Sequence, residues 1–302
     1  MMDESVDKQP KRIFADNLTH WHKELEAPST LAQLQWAELA AQLAEMGFAE
    51  QELSVLLREI RSYCEITPRG VGILQTQEIT ERLSFCRAFT QATAKKTEKA
   101  PAYEPLPTPC GIAMLDSPLF AAALACFAPY LKEARPRHCA TLTAVAEELA
   151  SGNAALGLFP LEDRLDGKLF RFYEQLEHYE LQIKHTCDVT SPEGGSYVRF
   201  ALLEKRSHAP LPLKKSERLL ECVLFEEEHH ALCELLSVAD LCKLSLRRTD
   251  ALPAGYREDG FLNHLILKDH GNDTAVFALY LSLFMPRTAI TAQYTHLLQG
   301  EL

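Results

Sequence analysis

Residues 140–200 of this chain read ATLTAVAEELASGNAALGLFPLEDRLDGKLFRFYEQLEHYELQIKHTCDVTSPEGGSYVRF, and this stretch decides the predicted fold. Thr141 to Ala150 predicts an amphipathic helix, which Ser151-Gly152-Asn153 would end because Gly and Asn are common at helix C termini. Ala154 to Phe159 is short and wholly apolar, which is typical of a strand buried in a mostly parallel sheet. Pro160 would end this strand. Ligands bind beyond the carboxyl ends of strands in open α/β sheets, so we expect a site in the residues that follow.

This stretch resembles the prephenate dehydratase family. Members of that family carry a G-x-A-D-x-G-x-x-P-I-E-N-S-x-x-G segment and then, after a helix and strands, T-R-F. Here the first segment runs from Gly152 to Arg164, with Gly167 close behind, and the second is Val198-Arg199-Phe200. The resemblance implies a two-lobed α/β cleft domain that converts prephenate to phenylpyruvate with loss of water and carbon dioxide.

In the family, the Thr of T-R-F supplies a hydroxyl to the reaction, and the matching residue here is Val198, which has no proton to donate. The resemblance implies catalytic roles for Arg199 and Glu162. Ser196 is the candidate replacement for the missing hydroxyl, since it is on the same strand face as Val198. The offset between positions 196 and 198 is about 6–7 Å along a strand, which is more than catalysis normally tolerates. Substrate contacts are implied for Ser117, Asp163, Arg164 and Phe200.

Three motifs of the family have changed in this chain. The glycine loop, G-P-x-G-T-x-S in the family, is replaced by Leu115 to Phe120, and Asp116 puts a negative charge where an anion would sit. The E-N-S triplet has become Glu162-Asp163-Arg164, in which Asp163 would oppose a dicarboxylate. Together with the missing Thr, these changes predict that the dehydratase reaction has been lost.

The C-terminal part, from Ser216 onward, predicts the order β-α-β-β-α-β, which is ferredoxin-like. Its position after a dehydratase-like domain resembles that of an ACT domain, the module that binds phenylalanine in this family. The family's P-G-A-L, at the start of the first ACT helix, is replaced by the candidate ligand-binding residues His229, His230, Ala231 and Leu232. ACT domains often pair edge to edge, so the resemblance implies a homodimer through this module.

The predicted fold class is α/β and α+β, with an N-terminal helical region, a two-lobed α/β cleft domain and a C-terminal ferredoxin-like ACT domain. Four prolines between residues 97 and 110 exclude a helix there and favour an extended linker. The predicted segments are a disordered lead-in at 1–12, a helical accessory domain at 13–96, that proline-rich linker at 97–110, the dehydratase-like domain at 111–205, a second linker at 206–215 and the ACT-like module at 216–302.

Composition narrows the classes of function. The chain has 302 residues and a formal net charge of −11, which argues against a general nucleic-acid binder. Its nine cysteines are odd in number and include no C-x-x-C pair, which indicates reduced thiols in a cytoplasmic protein and no zinc site. We expect no metal and no cofactor. The longest apolar runs are too short to span a bilayer and no N-terminal signal is visible, so we expect no membrane partner.

Three hypotheses follow from these patterns. The first is a non-catalytic or regulatory homologue that binds a small aromatic acid or amino acid and is linked to phenylalanine metabolism. The alternative is an active prephenate dehydratase with a rearranged site, in which Arg199, Glu162 and either Ser196 or Ser117 carry the chemistry. A weaker alternative is a transcriptional regulator with ACT-type ligand sensing, since residues 40–48 suggest a helix-turn-helix. The helix after them begins Glu-Gln-Glu, which DNA phosphates would repel.

Overall fold

The computed structural model describes residues 29–49, 52–53, 55–56, 73–96, 105–163, 167–168, 170–190, 197–205, 208, 211–213, 215–224, 229–253, 261–271 and 273–298. In chain order the helices are α1 (Ser29–Glu45), α2 (Ile73–Lys96), α3 (Pro118–Phe127), α4 (Leu142–Ala150), α5 (Phe170–Tyr179), α6 (His229–Leu241) and α7 (Thr274–Phe284). The strands are β1 (Cys110–Leu115), β2 (Ala134–Cys139), β3 (Leu156–Asp163), β4 (Gly167–Lys168), β5 (Gln182–Thr190), β6 (Tyr197–Glu204), β7 (Ser216–Leu224), β8 (Leu244–Pro253), β9 (Phe261–Asp269) and β10 (Thr288–Leu297).

The chain divides into two compact units. The first unit comprises residues 1–100 and 222–290, and the second comprises residues 101–221 and 291–302. The N-terminal helical region therefore belongs to the same unit as most of the C-terminal module. The six segments expected from the sequence remain a prediction.

In the first unit, α1 packs against α2 through apolar side chains. Trp36 meets the edge of Phe85 with ring centroids 5.8 Å apart, and Phe85 is fully buried together with Leu43 and Leu83. The apolar run at residues 71–74 predicts a short strand, which is wrong for Ile73 and Leu74 because both belong to α2. Helical spacing of apolar residues predicts another helix near residues 49–63, most of which lies outside the described residues.

Helix α2 also packs against α6 and α7 in this unit. Arg82 of α2 forms an ion pair of 3.2 Å with Glu234 of α6, and its guanidinium lies 5.0 Å from the ring centroid of Phe284 in α7. Arg87 donates a hydrogen bond of 2.7 Å to the Leu241 carbonyl at the end of α6. Helix α2 is therefore packed against both helices of the C-terminal module.

The C-terminal module has the predicted β-α-β-β-α-β order, from β7 through α6, β8, β9 and α7 to β10. This element order is that of a ferredoxin-like module. Strands β8 and β9 form a long antiparallel pair with a register shift between Leu246 and Arg248.

In the second unit, the strands follow the order β2-β1-β3-β6-β5-β10-β7, with β4 paired to β3. Strand β1 is parallel to β2 and β3, and β10 is parallel to β5, whereas β6 is antiparallel to both of its neighbours. The mixed α/β class predicted from the sequence is confirmed. Within residues 111–205 the described strands pair into one sheet.

Strand β3 extends beyond Pro160, where the sequence predicted its end. Pro160 stays within the strand because the register with β6 shifts between Pro160 and Glu162, and such a bulge tolerates a residue that lacks a backbone N–H. The strand therefore continues to Asp163 and carries Glu162 at its carboxyl end. Among the described residues, no helix is both long enough and apolar enough to cross a bilayer.

Candidate functional site

The V-R-F segment places its three side chains on two opposite faces of the sheet, because side chains alternate along a strand. Val198 and Phe200 are buried in the core beneath α3, where the Phe200 ring meets that of Phe120 at 4.9 Å. Arg199 lies on the other face, with 14% of its side chain exposed. The apolar residue at the expected hydroxyl position is thus a core residue.

Arg199 is held between carboxylates of the two neighbouring strands. It is opposite Asp188 of β5 and opposite Glu162 of β3 in the strand registers. Its Nε and Nη2 donate to the Asp188 carboxylate at 2.7 and 3.0 Å, which is a bidentate ion pair. Glu162, only 2% exposed, lies 3.8 Å from Nη1, and the Tyr197 ring lies 5.8 Å from the guanidinium carbon.

The electrostatics of this cluster keep Arg199 charged. Burial lowers the pKa of the guanidinium, but the hydrogen bonds and charge of Asp188 outweigh burial, and Tyr294 and Glu162 act in the same direction. The pKa of Arg199 is therefore raised above its ordinary value. Two carboxylates surround one guanidinium, so the cluster presents no excess positive charge to an anion.

Sequence reasoning missed Asp188 and two further members of this cluster, Thr186 and His296. The Thr186 hydroxyl lies 2.8 Å from Nδ1 of His296, and Nε2 of the same ring lies 3.7 Å from the Asp188 carboxylate. Both residues are buried. They meet because β10 pairs with β5 in parallel, with His296 opposite Thr186. The two residues are 110 positions apart in the chain, and no local pattern in either strand indicates the pairing.

The other dehydratase-site candidates are spread around this cluster or lie outside the described residues. Ser117 is the N-cap of α3, where its hydroxyl accepts a hydrogen bond of 3.5 Å from the Phe120 amide. Asp163 is the last residue of β3. Arg164 and Ser196 lie outside the described residues.

The candidate ligand-binding residues of the C-terminal module are at the start of α6. His229 and His230 are its first two residues, Ala231 is buried and Leu232 is half-buried. Within the part of the chain that the structure describes, no group of three His, Cys, Asp or Glu side chains is arranged to hold a metal ion.

No family model matches this chain, and no curated protein is similar to it. Solved structures are similar. The prephenate dehydratase of Streptococcus mutans has a TM-score of 0.49 and 18% identity, covering 63% of this chain and 100% of its own. The prephenate dehydratase of Arthrobacter aurescens in complex with L-Phe has a TM-score of 0.45 and 14% identity. The match covers 61% of this chain and 89% of the dehydratase chain. A protein described as GqqA, a novel type of quorum quenching acylase, has a TM-score of 0.45 and 16% identity. The match covers 63% of this chain and 95% of the GqqA chain.

Proposed function

We propose that this chain is a prephenate dehydratase-like protein that binds a small aromatic acid or amino acid and does not convert prephenate. The observation that carries the proposal is the bidentate ion pair between Arg199 and Asp188. Prephenate has two carboxylates, which need cationic or amide partners, and a leaving hydroxide, which needs a proton donor. Here the matching arginine is already bound by a carboxylate.

The charge balance around Arg199 supports the absence of turnover. Glu162 lies 3.8 Å from Arg199 and Asp188 lies 2.7 Å from it, so one positive charge faces two carboxylates. An incoming dicarboxylate would meet a net negative cluster, and like charges oppose each other more strongly in a partly buried site. Val198, at the position of the family's Thr, is buried among apolar residues and offers no hydrogen bond.

The C-terminal module supports a regulatory role. Its element order is ferredoxin-like, and it follows a dehydratase-like α/β region in the chain. An ACT-like module in this position would bind an amino acid at the start of α6 and pair with a second copy. The proposal therefore includes a cytoplasmic homodimer linked to phenylalanine metabolism.

The proposal is tested by mixing the folded protein with prephenate at neutral pH and following phenylpyruvate by its absorbance in alkali. We expect no rate above a control without protein. Asp188→Asn removes the competing carboxylate and should remain inactive, because Val198 still supplies no hydroxyl. Calorimetric titration with phenylpyruvate and L-phenylalanine tests the binding part. Rapid phenylpyruvate formation would contradict the absence of turnover. No binding of any aromatic acid or amino acid would contradict the proposed binding.

A second candidate, an active dehydratase with a rearranged site, is favoured by one observation. The Thr186 hydroxyl is hydrogen-bonded to His296, beside the Asp188–Arg199 pair, and it would replace the missing hydroxyl of the family. In the described structure Thr186 is 0% exposed, so prephenate would have to open the sheet face to reach it. If turnover is found, Thr186→Val should abolish it and Ser117→Ala should leave it unchanged.

A further inference from the structure

A second concave surface lies at the opposite end of the β1–β3 strands from Glu162 and Arg199. This surface, the amino-end groove, has a volume of about 1000 Å³ and is lined by residues at the start of β1 and β2, the turn before β3, and the end of β6. Gly111, Arg135, Ala155 and Lys205 mark these four places. Six residues of β3 separate the two ends, which is about 20 Å along a strand. The groove is thus distinct from the Arg199 cluster.

A buried ion pair fixes one histidine in the wall of this groove. Lys184 and Glu204 form an ion pair of 2.7 Å, and both are less than a tenth exposed. Glu204 also accepts hydrogen bonds from Nδ1 of His208 at 3.0 Å and from its backbone amide at 3.3 Å. Lys184 donates to the His208 carbonyl at 2.8 Å. The ring and the backbone of His208 are therefore both held, which is the preorganisation that a binding group needs.

His208 is 8% exposed and lines the groove. Because Nδ1 is bonded to Glu204, Nε2 is the ring nitrogen that remains for a molecule in the groove. A carboxylate at Nδ1 fixes the tautomer and the orientation of an imidazole ring. The Lys184–Glu204 pair thus holds one imidazole in a fixed orientation at the groove surface.

The remaining charges of the groove are positive. Arg135 and Lys205 are exposed, and neither forms an ion pair or hydrogen bond with the described residues. Arg137 is occupied, because it donates to the Asn153 carbonyl after α4 and pairs with Glu148 at 3.3 Å. No Asp or Glu is among the described residues that line the groove, although the whole chain has a net charge of −11.

The rest of the lining is apolar. Three prolines of the segment before β1, at positions 105, 107 and 109, form one side, and Leu149 and Ala154 contribute from α4 and the turn after it. A groove with two free cations, a presented imidazole and an apolar wall matches a molecule that has an anionic end and an apolar body. We propose that the amino-end groove binds a small organic carboxylate. Its carboxylate would contact the exposed Arg135 and Lys205, and its hydrocarbon part would pack on the prolines. This proposal does not depend on the proposed function.

The experiment is calorimetric titration of the full chain with 3-phenylpropanoate, its neutral amide and inorganic phosphate. We expect 3-phenylpropanoate to bind, the amide to bind at least tenfold more weakly, and added salt to weaken binding, since both cations are exposed. Arg135→Gln/Lys205→Gln should weaken binding about tenfold or more, because each lost charge contributes on the order of 1 kcal/mol near the surface. Both side chains are exposed, so this variant should fold normally.

Two further variants locate the binding. Lys132→Gln/Arg287→Gln removes the same charge from exposed positions outside the groove and should leave the affinity unchanged. Arg199→Gln alters the other cluster and should also leave it unchanged. No binding of 3-phenylpropanoate, equal affinity for the amide, equal affinity for inorganic phosphate, or unchanged affinity in Arg135→Gln/Lys205→Gln would each overturn the proposal.

Discussion

Gly157 of β3 permits the close approach of α4 to the sheet, and Gly157→Ala tests this interpretation. A Cβ atom at this position would lie 2.6 Å from Cδ1 of Leu149 and 3.2 Å from Cγ1 of Val145. Both α4 side chains are buried, at 2% and 0% exposed, so neither can turn into solvent. Gly157 matches a glycine of the dehydratase segment, and the structure gives that glycine a packing role.

The expected cost follows from this overlap. Carbon atoms pack at about 3.5–4.0 Å, so the nearest contact must open by about 1 Å. Overpacking of this kind costs about 1–3 kcal/mol, and replacing a strand glycine by alanine recovers about 0.5–1 kcal/mol. Taking the middle of each range, Gly157→Ala should therefore lower the free energy of unfolding by about 1 kcal/mol.

Gly111→Ala is the matched control. Gly111 is also in a strand of the second unit, and its added Cβ would meet neighbours at an ordinary 3.8 Å. We expect this variant to be neutral or slightly stabilised. Urea unfolding should be followed by far-UV circular dichroism and by amide hydrogen exchange of peptides that cover residues 156–163. Trp36 is in the first unit, so its fluorescence does not report on β3.

A double-mutant cycle identifies the partner of the overlap. In a Leu149→Ala background the nearest atom is gone, so Gly157→Ala should cost at least 1 kcal/mol less than in the original chain. If Gly157→Ala is as stable as the original chain, or costs the same in both backgrounds, the close approach to Leu149 does not constrain β3 and the reasoning is refuted.

Three further predictions concern buried polar groups. Burial, with the charge of Lys184, lowers the pKa of His185 from 6.5 to about 4, so the folded state disfavours the protonated ring. The contribution of the neutral ring to stability is fully present above pH 6.5. The free energy of unfolding should fall by about 3 kcal/mol as the pH decreases from 6.5 to 4. His185→Gln should flatten this dependence in urea titrations and the exposed His178→Gln should not; equal pH profiles would contradict the assignment. Tyr280→Phe removes the 2.7 Å hydrogen bond to Glu234 and should cost about 1–2 kcal/mol by thermal unfolding, whereas the less buried Tyr130→Phe should cost less than half of that. Glu204→Ala leaves Lys184 buried without its carboxylate and should cost about 3–5 kcal/mol, and Lys184→Met/Glu204→Leu should recover most of it; a double variant no more stable than Glu204→Ala would argue against the pair.

Local signals predicted several elements closely. The local pattern predicts a helix from about Pro118 to Phe127 and another from His229 to Leu241. Both ranges agree with the structure, as α3 and α6. In α3 the reason is local, since Ser117 caps the first turn and Pro118 is favoured at the first helical position. The ferredoxin-like element order of the C-terminal module could likewise be predicted from the sequence. Strands with an alternating or apolar pattern flank helices whose apolar residues recur with a period of 3.6 residues.

Only some residues of the candidate site could be predicted from the sequence. Glu162 and Arg199 were named from the dehydratase resemblance, and the structure brings them to 3.8 Å. Their partner Asp188 was not named, although it is directly opposite Arg199. The local pattern predicts a strand only from Leu181 to Thr186, whereas β5 runs to Thr190. Strand ends are weakly specified by local propensity, since pairing with a neighbour decides how far a strand extends.

The sequence by itself determined the helices with clear caps, the alternation of β6 that separates Val198 and Phe200 from Arg199, and the element order of the C-terminal module. These features depend on residues close together in the chain. The tertiary structure alone decided that Asp188 neutralises Arg199, that His296 joins Thr186 across 110 positions, and that His208 is presented in the amino-end groove by a buried ion pair. Each of these depends on which strands become neighbours, and that choice is made by the packing of the whole sheet.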